Sequence, residues 1–474
     1  MIDTYDVIVI GAGPAGENAA GRCADGGLSV AVVERELVGG ECSYWGCIPS
    51  KVLLRPGDVL AAARRVPGAA PAVTGGVDAE ATLAHRDELT SNWDDTGALP
   101  WLEERSIELV RGTARMSGEK VVDADMSDGS MRRLTARLAV VVATGTGAAM
   151  PPVPGLVDAR PWDNRSVTAT KDIPARFLVL GGGAIGLEMA QAMRRLGSSE
   201  VTVIEAAPRL LIREEPFAGD EVREALEADG ITVRVGVGLT GVRRDGDGPV
   251  TAMLADGSEL IGDELLVAIG RRPATGDLGL EHVGLEPGQS IDVDDQLRAT
   301  GVPGGWLYAV GDCNGRALLT HMGKYQARIA ADVILGRDAA AVADHAIVPR
   351  VTFTDPQVCA VGLTEEQARE EAGIDVRTVR HPTGDVAGAS VTADEFRGTS
   401  QLVIDAARRT IVGATFVGPG VQELLHSATV AIAGEVTLDR LWHAVPSFPT
   451  VSEVWLRLLE TAERQLEITL GLAS

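Results

Sequence analysis

The chain is short of cysteine and of lysine, and it has no long apolar run. Five cysteines in 474 residues, with no basic segment ahead of the first apolar strand, argue against a disulfide-stapled secreted scaffold. Asp6-Val7-Ile8-Val9-Ile10 runs straight into glycines and reads as a buried strand, not as the core of a signal peptide. No apolar stretch approaches the ~20 residues a membrane span needs. The lysines are Lys51, Lys120, Lys171 and Lys324 alone, and 43 basic residues stand against 67 acidic ones, a net charge of -24. Such a surface repels nucleic-acid phosphates and reads as a solubility feature. The expectation is a soluble, cytoplasmic protein with no membrane and no nucleic-acid partner. Its length allows about three domains, and 45% apolar content supplies their cores.

Two of the scarce cysteines stand close together, in Gly39-Gly40-Glu41-Cys42-Ser43-Tyr44-Trp45-Gly46-Cys47-Ile48-Pro49-Ser50-Lys51. A zinc site needs about four ligands, and no second Cys or His pair stands at matching spacing. An iron–sulfur loop needs a third cysteine soon after Cys47, and Ile48-Pro49-Ser50 occupy that place. No metal is expected. A close pair beside a bound nucleotide cofactor reads as a disulfide that accepts and returns electrons. Cys23, Cys313 and Cys359 read as structural.

The rest of the chain repeats one theme twice and then changes. Residues 5–10 form a strand that ends in Gly11-Ala12-Gly13-Pro14-Ala15-Gly16; a helical pattern follows, then the strand Ser29 to Val33, ending at Glu34. Residues 177–180 form a strand that ends in Gly181-Gly182-Gly183-Ala184-Ile185-Gly186; a helix follows, then Val201 to Ile204, ending at Glu205. Strand before, helix after and acid some twenty residues on make each a dinucleotide fingerprint. The first glycine permits the turn, the second lets the backbone approach a pyrophosphate, and the third lets helix and strand pack closely. Glu34 and Glu205 should accept hydrogen bonds from ribose hydroxyls. Glu205 would repel a 2'-phosphate, which favours NADH over NADPH, although Arg209 lies nearby.

Two such sites imply two cofactors, and a hydride donor at one needs an acceptor at the other, for which a flavin is the natural candidate. Val140 to Gly145 reads as a strand running into a small turn, and Trp306 to Asp312 as a strand ending in an acid that could meet flavin side-chain oxygens. The span Arg55 to Trp101 reads as one or two helices with loops. From about Val348, strands (Arg350–Thr354, Gly398–Ile404, Thr410–Val417) alternate with helices (Glu365–Glu371, Val421–Ala433, Val451–Glu467), an α+β domain without a fingerprint.

Gly-Gly-x-Cys-x4-Cys-x-Pro-Ser-Lys behind an N-terminal GxGxxG resembles the flavoprotein pyridine nucleotide–disulfide oxidoreductases, among them dihydrolipoamide dehydrogenase, glutathione reductase and mercuric reductase. The resemblance extends to the second fingerprint with Glu188, to Gly270-Arg271-Arg272-Pro273, to Gly311-Asp312 and to Phe353-Thr354-Asp355-Pro356, essentially the whole chain. It implies an α/β enzyme with two Rossmann-like domains and a C-terminal α+β dimerisation domain: FAD segments at 1–149 and 272–345, an NAD(P) domain at 150–271 and dimerisation at 346–474. It implies a homodimer whose C-terminal domain helps to build the partner's active site.

The resemblance also implies roles. Cys47 should lie against the flavin, as a thiol with a depressed pKa, and Cys42 should meet the substrate. Lys51 should pair with Glu188, placing a cation near the flavin. Cofactor contacts are implied for Gly11, Gly13, Gly16, Glu34, Arg35, Gly40, Ala114, Ala143, Thr144, Gly145, Gly311, Asp312 and Thr320, and for Gly181, Gly183, Ile185, Gly186, Glu205 and Gly270. One element departs from the pattern. Thiol-using members read His-Pro-Thr-x-Ser-Glu near the C-terminus, and the histidine handles protons; here the run is Phe448-Pro449-Thr450-Val451-Ser452-Glu453. Glu453 remains, while Phe448 carries no proton. His381-Pro382-Thr383 spells the tripeptide in the wrong place, and His443 would serve only in a rebuilt loop. The expected activity is electron flow between nicotinamide, flavin and a small-molecule or carrier-bound dithiol or disulfide. Alternatives are a transhydrogenase or diaphorase, a quinone or metal-ion reductase, a dithiol oxidase, and a binding subunit on the same scaffold.

Overall fold

The structure, a computed structural model, describes residues 3–371, 373–467 and 469–471. The expected domain limits at residues 1 and 474 lie outside them. Contacts divide the chain into two compact units: Met1–Pro49, His85–Ala149 and Gly270–Asp344 form the first, and Ser50–Ala84, Met150–Ile269 and His345–Ser474 the second.

The first unit is built on a sheet whose central strand, Asp3–Ile10, runs parallel to Val30–Glu34 on one side and to Met131–Val142 on the other. Val7, Ile8, Val9, Val140, Val141 and Val142 are all 0% exposed, which is why these strands are unbroken aliphatic runs: both sheet faces are covered. Glu108–Gly118 and Leu307–Ala309 extend the parallel order at its two ends, and Val121–Met126 adds an antiparallel turn. The crossover helix Pro14–Asp25 starts on a proline, whose fixed φ and missing N–H suit a first turn. Its inner face is small. A Cβ at Gly21 would lie 2.8 Å from the Trp101 ring, so Gly21 and Trp101 are packing partners.

The second unit repeats the arrangement: Glu264–Val267, Arg176–Leu180, Glu200–Glu205 and Thr232–Val235 are parallel neighbours in that order. Helix Ala184–Leu196 crosses between strands, with nine of its thirteen residues buried. The unit also holds a three-stranded antiparallel sheet and a five-stranded antiparallel sheet in the order Arg350–Thr352, Gln357–Gly362, Thr410–Gly418, Thr399–Asp405 and Val376–Pro382. Helices Gln422–Ala433 and Val454–Leu466 pack on this last sheet. The α/β class with two Rossmann-like sheets and a C-terminal α+β part is the observed architecture.

Several elements differ from the sequence reading. The expected helix Val451–Glu467 begins as a 3-10 turn, Val451–Glu453, and becomes α-helical only at Val454–Leu466. The expected strand ending at Asp312 stops at Ala309, because Gly311–Asn314 forms a 3-10 turn with Gly311 at φ 76. Strand Arg350–Thr352 ends two residues early. Residues 55–101 hold more helix than expected: helix Cys47–Arg64 continues from the cysteine motif, and Ala79–Leu89 and Leu99–Glu104 follow. Strand Val376–Pro382 includes His381, which pairs with Ser400.

Candidate functional site: two nucleotide cradles and a sulfur pair

Both glycine-rich loops adopt the same backbone. Gly11 and Gly181 have φ of +98 and +119, and a Cβ at either would lie 2.6 Å from the Ala143 carbonyl oxygen or 2.4 Å from that of Ala268. At the third glycines, Gly16 and Gly186, a Cβ would lie 1.9 Å from the Gly11 oxygen and 2.1 Å from the Gly181 oxygen. No side chain is tolerated there. Gly13 and Gly183 cap their helices without any side-chain hydrogen bond. The first amides of both helices are therefore left to a ligand, with the positive end of the helix behind them.

The two acids at the strand ends are also equivalent. Glu34 accepts from the amides of Ala12 (2.7 Å) and Glu36 (2.7 Å), one on each carboxylate oxygen. Glu205 accepts from Gly182 (2.6 Å) and Ala207 (2.6 Å) in the same way. Each carboxylate is thus fixed against its glycine loop, and its remaining lone pairs are available to ribose hydroxyls. Arg209, which left the coenzyme choice open, is spent elsewhere. Its guanidinium donates to the carbonyls of Leu210, Leu211, Ile212 and Glu214 at 2.9–3.3 Å. Ile185 and Ile269, 39% and 45% exposed, give this cradle an apolar edge. Gly270 has φ +146.

The first cradle has more polar company. Thr144 Oγ1 is buried with no hydrogen-bond partner, which suits a bound polar group. Ala143 and Ala114 are 7% and 5% exposed and belong to one hydrophobic core. Asp312 accepts from Thr146 Oγ1 at 2.8 Å, and burial pushes its carboxyl above the usual range. Thr146 also receives Arg271 Nε at 2.6 Å, and Arg271 reaches Glu41 at 3.1 Å. Arg271 therefore links the residue before Cys42 to the acid at the cradle. Gln326 accepts the amide of Gly311 at 2.8 Å and holds that turn. Arg35 is exposed at the strand end next to Glu34.

The cysteine motif is fastened to this cradle by its glycines. Gly39 N donates to the Ala12 carbonyl at 2.8 Å, and a Cβ at Gly40 (φ +56) would lie 2.8 Å from the Gly13 Cα. Cys42 sits on the short helix Gly40–Tyr44, and Cys47 is the first residue of the 18-residue helix Cys47–Arg64. The two sulfurs are 2.7 Å apart. Thr320 Oγ1 lies 3.2 Å from Cys47 Sγ and opens helix Thr320–Ile334. Cys47 thus meets a hydroxyl from one helix N-terminus while standing at another, and both favour an anionic sulfur. The Cys42 thiol is pushed up, first by donating to the Cys47 sulfur and then by burial. Cys23 and Cys313, buried in the core, are pushed up to about 12, and Cys359 is also raised by burial, so none of the three is poised to react.

One turn beyond Cys47, Lys51 Nζ bonds Glu188 at 2.6 Å, and the Glu188 side chain is 5% exposed. The other oxygen of Glu188 accepts the Phe353 amide at 2.9 Å, and the Phe353 ring lies 4.5 Å from Lys51 Nζ. Phe353 was visible in the sequence as part of a motif but carried no role there; its aromatic face stabilises the lysine cation. Near the C-terminus, Phe448 is 75% exposed and Glu453 is 6% exposed, held by Arg457 at 2.6 Å. Arg457 was also missed, although the spacing from Glu453 is the i,i+4 of a helical ion pair. His443 is exposed at the end of helix Leu438–Trp442.

Known proteins match along the whole chain. Residues 5–330 match the family described as pyridine nucleotide-disulphide oxidoreductase, and residues 348–458 its dimerisation domain. The chain is 34% identical to a dihydrolipoyl dehydrogenase of Thermus scotoductus over 98% of both chains. It is 31% identical to a mercuric reductase of Staphylococcus aureus over 95% of this chain and 81% of that one. Its fold matches the Cu(II) complex of the HOCl-induced flavoprotein disulfide reductase RclA from Escherichia coli, with a TM-score of 0.85 at 25% identity over 97% and 99% of the two chains.

Proposed function

The chain belongs to the pyridine nucleotide-disulphide oxidoreductases, and from that premise we propose that Cys42 and Cys47 carry electrons between a nicotinamide and a dithiol or disulfide substrate. Family membership makes it an FAD-dependent NAD(P)H disulfide oxidoreductase, and its dimerisation domain supports a homodimer. The observation that carries the proposal is the sulfur pair itself, 2.7 Å apart and facing the Thr320 hydroxyl. When bound, FAD supplies two-electron exchange between a nicotinamide and a neighbouring disulfide.

The residues of this chain divide the work. Gly11, Gly13, Gly16, Glu34, Arg35, Gly40, Ala114, Ala143, Thr144, Gly145, Gly311, Asp312 and Thr320 hold FAD. Gly181, Gly183, Ile185, Gly186, Glu205 and Gly270 hold the nicotinamide coenzyme. NADH is preferred over NADPH, because Glu205 presents a fixed negative charge and Arg209 is bonded to backbone carbonyls. Cys42 exchanges with substrate and Cys47 with the flavin side. Lys51, anchored by Glu188 and Phe353, supplies positive charge on the helix of Cys47. The partition into FAD segments 1–149 and 272–345, an NAD domain 150–271 and a dimerisation domain 346–474 belongs to the same proposal.

The place of a proton-carrying histidine is taken by Phe448, so the substrate is one that needs no protein base. A soft metal ion held by the two sulfurs is a second reading. It too needs no base, and the resemblance to mercuric reductase and to the Cu(II)-bound RclA favours it. Anaerobic reduction with one equivalent of NADH tests the disulfide route. The expected result is a long-wavelength thiolate-to-flavin absorbance band that Cys47→Ser abolishes. Direct bleaching of the flavin, unchanged in Cys47→Ser, would refute it and favour a transhydrogenase or diaphorase. NADH oxidation supported by Cu(II) and by no dithiol-derived disulfide would favour the metal reading.

A further inference from the structure

We propose that the left-handed turn Ser91–Trp93 positions the sulfur pair, and that the Trp93 indole sets the reduction potential of the Cys42–Cys47 disulfide by holding the Tyr44 carbonyl. The inference rests on the disulfide reading above and deepens it.

The turn is costly in itself. Ser91, Asn92 and Trp93 have φ of 50, 52 and 57. Residues other than glycine visit this region singly, because the Cβ crowds the following carbonyl oxygen; asparagine tolerates it, and a bulky side chain is an outlier there. Three in succession persist only where the surroundings hold them. The Trp93 amide donates to the Thr90 carbonyl at 2.9 Å, and the Asp94 amide to that of Ser91 at 3.0 Å. Thr90 is buried, and its Oγ1 donates to the Arg86 carbonyl at 3.0 Å. The buried Arg86 side chain bonds Asp87 at 2.8 Å and carries its guanidinium 5.3 Å from the Trp93 ring centre.

What the turn holds lies 49 residues back along the chain. Trp93 Nε1 donates to the Tyr44 carbonyl at 3.2 Å. Tyr44 is the last residue of the short helix Gly40–Tyr44, which carries Cys42, so its carbonyl has no acceptor role inside that helix. Two residues beyond Trp93, Asp95 accepts the Val38 amide at 2.7 Å and pairs with Arg111, which in turn donates to the Glu36 carbonyl at 2.6 Å. Residues 93–95 therefore grip the chain on both sides of Cys42, at Val38 and at Tyr44.

Only Trp45 and Gly46 separate that helix from Cys47. The Trp45 amide closes back on the Glu41 carbonyl at 2.8 Å. A Cβ at Gly46 would lie 3.0 Å from the same oxygen. Rotation about this two-residue joint would carry one sulfur away from the other. The indole bond to Tyr44 opposes that rotation and keeps the sulfurs 2.7 Å apart. Holding two thiols together raises the effective concentration of each for the other. That favours the disulfide over the dithiol and makes its potential more negative.

The test is a thiol–disulfide equilibrium of the holoenzyme, anaerobic, in mixtures of reduced and oxidised dithiothreitol, at a pH where imidazole is neutral. The protein dithiol gives two electrons and two protons to oxidised dithiothreitol; protein disulfide and reduced dithiothreitol result. After an acid quench and alkylation, the oxidised fraction is read by mass spectrometry on the peptide that holds both cysteines. Trp93→Phe keeps an aromatic ring and removes the donor. It should move the equilibrium about tenfold toward the dithiol, a potential about 30 mV less negative. Trp93→His keeps a ring N–H at the place of the indole one and gives up the six-membered ring. It should stay within about twofold of the parent. Packing alone would rank the two the other way, with Trp93→Phe like the parent and Trp93→His displaced. That ranking, or a Trp93→Phe equilibrium unchanged at full flavin content, would overturn the inference. If the parent pair forms no disulfide even after exposure to air, the disulfide reading itself fails.

Discussion

In the first cradle the third glycine, Gly16, is followed by Glu17 and Asn18; in the second, Gly186 is followed by Leu187 and Glu188. The backbones match glycine for glycine and acid for acid, so everything that distinguishes the two lies in side chains that the shared turn leaves free. Leu187 is 0% exposed and belongs to the core. Glu188 reaches across to Lys51 and Phe353. Asn18 bonds only the carbonyl of Pro14. Glu17 is an acid whose carboxyl burial pushes up to about 6, against the pull of Lys324 and with a further push from Glu34. One turn of helix thus serves two purposes: it holds a lysine cation in one copy and a titrating acid in the other.

The comparison breaks most severely at the third glycines. A Cβ 1.9 Å or 2.1 Å from a carbonyl oxygen exceeds ordinary overpacking, which already costs ~1–3 kcal/mol. Gly16→Ala should cost at least about a hundredfold in FAD affinity, read as flavin content after purification. Gly186→Ala should leave the flavin bound and cost as much in NADH affinity, read by fluorescence titration. If Gly186→Ala loses flavin and Gly16→Ala does not, the two cradles have been assigned the wrong way round.

A smaller effect is expected at the acids. Glu205→Gln removes the charge while keeping the shape. A charge-assisted bond is worth about 1.5–3 kcal/mol, so the NADH-to-NADPH ratio of kcat/KM should fall by about one order of magnitude or more. Glu34→Gln should leave that ratio unchanged. An unchanged ratio in Glu205→Gln would show that another group selects the coenzyme.

The smallest effect separates Glu17 from Leu187. With its carboxyl at about 6 in the fold and 4.5 ordinarily, Glu17 is harder to ionise folded than unfolded. Its contribution is fully present below the ordinary value and is lost as pH rises through about 6, by on the order of 1–2 kcal/mol. The melting temperature of Glu17→Leu should therefore gain on that of the parent between about pH 5 and pH 7. A difference that does not change with pH would mean that Glu17 ionises freely in the fold.

Much of this was legible beforehand because it is local. Glycine spacing, the acid at each strand end and the paired cysteines are short-range patterns, and the backbone they require can be deduced from sterics alone. The unread parts are long-range. Thr320 lies 273 residues from Cys47, and Glu41 lies 230 from Arg271. Arg209 was ambiguous because its direction depends on which carbonyls the following turn leaves unsatisfied. The early end of strand Leu307–Ala309 depends on Gly311, whose positive φ starts a 3-10 turn where the apolar pattern continues.

The sequence by itself determined that there are two glycine-rich cradles, that a close cysteine pair follows the first, and that no imidazole stands at position 448. Those are matters of residue type and spacing, since a missing Cβ or a missing ring nitrogen cannot be restored by folding. Only the tertiary structure decided what several charged side chains are committed to: Arg209 to its own loop, Arg271 to Glu41, Arg457 to Glu453, and the phenyl ring of Phe353 to Lys51. A charge takes the partner that packing brings within about 3 Å and shields from water, and that choice is made by the fold.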